Sequence, residues 1–67
     1  MMNIGKRIKE RRREIHMSQT ILSEKSGVNR TTISQLESGA RDNILVNNLC
    51  AIASALDVSV EFFLKSE

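Results

Sequence analysis

Apolar residues recur along the chain at helical spacing. Ile4, Ile8 and Ile15 stand at i, i+4 and i+11, one face of a helix predicted over about 3–15. Asn3 is placed to cap its start, and His16 is placed as a left-handed terminator. Met17 should fold back onto the core. Ser18 then precedes a second helix of about 19–26, which Gly27 ends because glycine takes a positive φ at no steric cost. Val28 follows as a core plug, Asn29 as the cap of a third helix of about 30–38, and Gly39 as its stop. Residues 40–43 read as a loop. A fourth helix is predicted over about 45–56, with Val46, Leu49, Ile52, Ala53 and Leu56 on one face. Residues 57–59 turn the chain, and Ser59 caps a short fifth helix ending near Leu64. With no alternating strand pattern, the expected fold is all-α, five short helices in one layered core.

A chain of 67 residues is expected to form a single domain over 1–67. At this size folding buries only roughly 60% of the unfolded chain's surface, which allows one small core and no deep enclosed cavity. No run of about 18 apolar residues could cross a membrane, and no apolar stretch near the N-terminus resembles a leader. The single cysteine, Cys50, excludes an internal disulfide, and no Cys/His spacing suits zinc. These features predict a cytoplasmic location. Cys50, beside Leu49 and Ile52, is expected to pack half-buried, with no flanking cation to activate it. The only histidine, His16, lies far along the chain from Cys50. No glycine-rich phosphate loop and no paired-carboxylate site appears, so no enzyme, metal or cofactor is expected.

Charge changes the picture more. The overall balance is only +2, yet residues 1–41 hold nine Lys/Arg against four Glu, a net of +5, and residues 42–67 carry −3. A basic front half suits a polyanion partner, although charge runs also serve simply to solvate helix faces.

The pair of helices around Gly27 has a spacing with mechanical meaning. Counting Gln19 as the first position, small Ser23 is the fifth and Gly27 the ninth, while Leu22, Val28, Ile33 and Leu36 fall where the pair must be buried. Such spacing holds two helices at about 90–120°, a helix-turn-helix over about 18–38 whose second helix is free to enter a major groove. Here the chain resembles the helix-turn-helix family of Cro and lambda repressor, also called the xenobiotic-response-element family. Ile4-Gly5-Lys6-Arg7-Ile8, Met17-Ser18-Gln19, Ser26-Gly27-Val28, the run from Arg30 to Glu37, Ile52-Ala53 and Leu56-Asp57-Val58-Ser59 all carry the resemblance. It covers almost the whole chain and implies a compact five-helix DNA-binding domain like that of lambda repressor. Departures are Arg11 where many relatives have leucine, His16 where they often have glycine, Ser26 for an apolar residue, and Ile21 at a position usually polar. The loop after Gly39 also lacks a common proline.

The resemblance implies that Gln19 contacts a DNA phosphate and braces the recognition helix, and that Arg30, Thr31 and Gln35 face base edges. Asn29 and Thr32 lie at the N-terminus of that helix, where backbone N–H groups and the helix dipole attract phosphate. Arg12 and Glu37 match a structural ion pair between the first and third helices. The side chains suit these roles: Arg30 can donate twice to guanine O6 and N7, Gln35 can pair with adenine through its amide, and the Thr31 methyl suits that of thymine. Arg41, just past the third helix, is a further phosphate candidate, with Lys6, Arg7 and Arg13 behind it.

One helix-turn-helix reads few base pairs, so a homodimer on a palindromic operator is expected. The apolar surplus of residues 44–64 supplies an interface, for which Ile44, Val60 and Phe63 are the candidates and Phe62 is assigned to the core. The expected function is sequence-specific transcription regulation through double-stranded DNA, as a repressor or controller protein of prokaryotic or phage origin, associated with the nucleoid when bound. The alternative is a protein-interaction module that keeps the fold without specific DNA binding. No small-molecule ligand or membrane partner is implied.

Overall fold

The computed structural model describes residues 4–64 and contains five helices among them. They are α1 (Ile4–Glu14), α2 (Gln19–Ser26), α3 (Arg30–Ser38), α4 (Val46–Ala55) and α5 (Glu61–Leu64). No strand occurs among the described residues. The expected Asn3 cap lies outside them.

Local chemistry sets the element ends. His16 and Asp57 adopt a left-handed φ of 58°, a conformation that Asp and His tolerate better than most side chains. The first lets Met17 turn back, its N–H donating to Arg12 O at 2.8 Å. The second follows α4, where the Val58 N–H donates to Ala53 O at 3.0 Å. Such bonds satisfy carbonyls that a helix end leaves without partners.

α1 packs across α3 and touches α5, while α2 packs on both α3 and α4. Every helix sends side chains to one core: Ile8 from α1, Leu22 from α2, Ile33 and Leu36 from α3, Leu49, Ile52 and Ala53 from α4, and Phe63 from α5. Val28 and Leu56 plug it from the connecting turns. Gly5 sits where α1 crosses α3, against the backbone of Leu36 and Glu37. At the other end of α1, Arg11 donates from Nε to Leu56 O at 3.0 Å, closing the C-terminus of α4. A leucine at that position could not make this bond.

Four expectations need correction. Phe63 is fully buried and Phe62 only half-buried, the reverse of the assignment, so Phe63 has no surface to offer a second subunit. The Phe62 ring instead packs edge-on to Phe63 at 5.3 Å, with the Arg7 guanidinium 5.9 Å from its centroid. Val46, expected on the inner face of α4, is 73% exposed because the helix begins there and its first turn projects past the core. Cys50 is exposed, on the outer side of α4 from buried Leu49 and Ile52. The fifth helix also starts later than a Ser59 cap would place it. Ser59 contributes its backbone carbonyl, accepting from the Phe62 N–H at 3.0 Å.

Candidate nucleic-acid interface

α2, the turn and α3 form a closed hydrogen-bonded unit. Ser18 caps α2, its hydroxyl accepting from the Ile21 N–H at 3.1 Å. Gly27 ends α2 at φ 75°, its N–H donating to Ser23 O at 2.9 Å. The Ser23 hydroxyl donates to Val28 O at 2.7 Å, and Ser26 Oγ accepts from the Val28 N–H at 3.1 Å. Both polar groups of the plug residue are thereby satisfied while its side chain enters the core. Ser23 is thus more than a small residue at a crossing: it ties α2 to the start of α3. Ser26, one of the departures from the family pattern, does similar service in the turn.

α3 has two faces. Ile33 and Leu36 point into the core, whereas Arg30, Thr31 and Ser34 are exposed and Thr32 and Gln35 half-buried. Ser34 lies three and four residues beyond Thr31 and Arg30, so it shares their face. The i, i+3, i+4 spacing is the sequence signal that identifies it. Asn29 caps this helix, Oδ1 accepting from the Thr31 N–H at 2.7 Å. The cap occupies one N–H at the helix N-terminus and leaves the Asn29 amide nitrogen to donate elsewhere.

Behind α3 stands a charged brace. Arg12 of α1 grips Glu37 with Nε and Nη2, at 2.9 and 2.8 Å, and donates from Nη1 to Met17 O at 2.9 Å. Gln19, the first residue of α2, donates from Nε2 to the same Glu37 at 3.1 Å. One carboxylate therefore gathers α1, α2 and α3. The pair is largely out of solvent, with side chains 13% and 4% exposed for Arg12 and Glu37. The Arg12 pKa is raised, chiefly by the hydrogen bonds it donates to Glu37; burial opposes the rise and the negative charge of Glu37 adds to it. The Gln19 NH2 has two donors, so bracing Glu37 leaves a second for another acceptor.

Past Gly39 the chain folds back on α3. Arg41 donates from its backbone N–H to Gln35 O and from Nε to Gln35 Oε1, both at 3.1 Å. Its separation of six residues across a loop hid this contact from sequence reasoning. Thr32 and Arg41 also border a shallow cleft of about 220 Å³ with Asn43, Ile44, Leu45 and Asn48. That is smaller than the roughly 300–1,000 Å³ of small-molecule sites.

The remaining candidates are dispersed. Ile44 and Val60 are half-buried against the core, while Leu45, Val46 and Leu64 are the exposed large apolar residues of this part of the chain. Among the described residues no group of three or more His, Cys, Asp or Glu is placed to hold a metal, and no helix is long and apolar enough to cross a membrane.

A helix-turn-helix family model matches residues 8–63, most of the chain and all of the unit just described. The chain belongs to the helix-turn-helix family of Cro and lambda repressor. Its fold is also that of solved members. The N-terminal DNA-binding domain of SinR from Bacillus subtilis is 36% identical with a TM-score of 0.90, covering 96% of this chain and 93% of that one. SinR, the master regulator for biofilm formation, solved in complex with DNA, is 37% identical at 0.89, covering 92% and 98%. The restriction-modification controller protein C.AhdI from Aeromonas hydrophila is 31% identical at 0.85, covering 92% of each chain. No curated protein sequence matches significantly. Membership of this family makes the chain a DNA-binding transcription regulator and not an enzyme.

Proposed function

We propose that the protein acts in the cytoplasm as a homodimer on a palindromic operator, placing the outer face of α3 in the major groove. The observation that carries this reading is the division of α3: Arg30, Thr31 and Ser34 exposed together on one side, Ile33 and Leu36 locked into the core on the other. In it Arg30 and Thr31 read base edges with Gln35. Gln19, Asn29, Thr32 and Arg41 hold phosphates, and Arg12 with Glu37 fixes the angle of the reading helix. The net charge of +5 over residues 1–41 draws this half of the molecule to DNA. The DNA complex of SinR, whose domain this chain resembles in fold and sequence, supports the docking mode.

Dimerisation follows from the small footprint of one recognition helix. Ile44 and Val60 are proposed for the interface, joined by Leu64, an apolar side chain left exposed at the end of α5.

Selection of binding sites from random duplex DNA, with affinities taken at two salt concentrations, tests the proposal. An enriched palindrome with half-sites about one helical turn apart and a steep salt dependence is the expected result. Weak, salt-sensitive binding without enrichment would overturn it and leave a protein-interaction module.

A further inference from the structure

We propose that Arg41 is a specificity-determining residue: it fixes which end of the Gln35 amide faces the groove. The proposal rests on the operator-binding reading and deepens it. A glutamine side chain presents an acceptor and a donor that exchange places when the amide turns over, so an unrestrained glutamine can meet either kind of base edge. Here the choice is made by the loop. The Arg41 Nε–H can only donate, so the atom facing it at 3.1 Å must be Oε1 and the Gln35 NH2 must face the other way.

The geometry is anchored at both ends of the glutamine. The Arg41 backbone N–H holds Gln35 O while its guanidinium holds Gln35 Oε1, so loop and side chain move as one piece. Gln35 stands four residues beyond Thr31, which places the two side by side on α3. The guanidinium charge also polarises the amide and strengthens its N–H as a donor. A donor held in place suits guanine O6 or N7, adenine N7 or thymine O4. It opposes cytosine, whose major-groove edge offers the N4 donor. The nitrogens of Arg41 not used on Gln35 retain their donors for a phosphate, so one side chain links backbone contact to base reading.

The test is a mutant cycle of Arg41→Ala, Gln35→Ala and the double variant, measured on the selected operator and on duplexes changed at single base pairs. The base pair whose preference disappears in Gln35→Ala marks the position that residue reads. Arg41 lies exposed in a loop, and thermal melts establish that each variant is folded. Arg41→Ala is expected to reduce the penalty for cytosine at that position by about tenfold, and to do so only when Gln35 is present. In the Gln35→Ala background it should weaken all duplexes by one common factor. If Arg41→Ala weakens all duplexes equally in both backgrounds, Arg41 is a phosphate contact alone and the inference fails. If the unaltered protein selects no site, the operator reading itself fails, which is a different result.

Discussion

Gly5 of α1 lies so close to Leu36 of α3 that a β-carbon added to the glycine would overlap the Leu36 carbonyl oxygen and stand 2.5 Å from its carbonyl carbon. The obstacle is backbone, which cannot rotate aside as a side chain can. Gly5→Ala should therefore force α1 and α3 apart, at a cost of about 1–3 kcal/mol or more. For a domain of this length total stability is roughly 3–10 kcal/mol, so the loss is a large share of it. Urea denaturation should show a clearly lower midpoint. An unchanged midpoint would mean the helices do not approach this closely.

Gly27→Ala separates conformational strain from crowding. At φ 75° nothing lies within 4 Å of where the new β-carbon would go, so only the left-handed backbone penalty applies, about 1–2 kcal/mol. The variant should melt lower yet keep a native helical spectrum and the turn geometry. A loss much larger than that of Gly5→Ala would contradict this division.

The Arg12–Glu37 brace should matter to stability over a wide pH range. Replacing Arg12 by methionine removes two charge-assisted bonds to Glu37 and one to Met17 O, with an expected cost of about 1.5–3 kcal/mol. The Arg12 pKa is raised in the folded state. Its contribution is accordingly complete below the unfolded arginine value and lost only as pH rises through the still higher folded value. The stability gap between the unaltered protein and Arg12→Met should thus stay constant between about pH 7 and pH 10. Denaturation curves at several pH values check this. A gap that closes within that window would assign the stabilisation to another group.

Base readers and anchors should respond differently to mutation. Arg30→Ala is expected to cost about 1–3 kcal/mol on the selected operator and little on scrambled DNA. Gln19→Ala should weaken matched and scrambled duplexes alike, because a phosphate carries no sequence. Binding curves on both kinds of duplex distinguish the classes. Identical behaviour of the two variants would remove the basis for the assignment.

How much of this was legible in the sequence depended on how local the cause is. Ser18, Gly27, Asn29 and Gly39 act on their immediate neighbours, and the ends they predict for α2 and α3 agree with the structure. Where two faces compete without periodicity, reading by pattern failed. α5 has four residues, about one turn, and two adjacent phenylalanines of equal hydrophobicity give no sign of which is inside. Packing decides it: Phe63 goes into the core, while Phe62 lies against the Arg7 guanidinium. Val46 and Cys50 are exposed although both lie on α4, because the apolar pattern of that helix says which residues are apolar and not how far the core extends beneath them. Contacts such as Arg11 to Leu56 O and Arg41 to Gln35 Oε1 join parts of the chain whose approach only the folded backbone reveals.

The two faces of α3 answer to different demands. Ile33 and Leu36 are held by the core, but Arg30, Thr31 and Ser34 stand in solvent and the packing of the domain does not depend on them. A lineage of such proteins can therefore exchange its outward residues freely without refolding the scaffold. On the proposed docking, gene duplicates differing only there would melt at nearly the same temperature yet answer to different promoters. Regulatory circuits could be rewired by a few codons, with the architecture inherited intact.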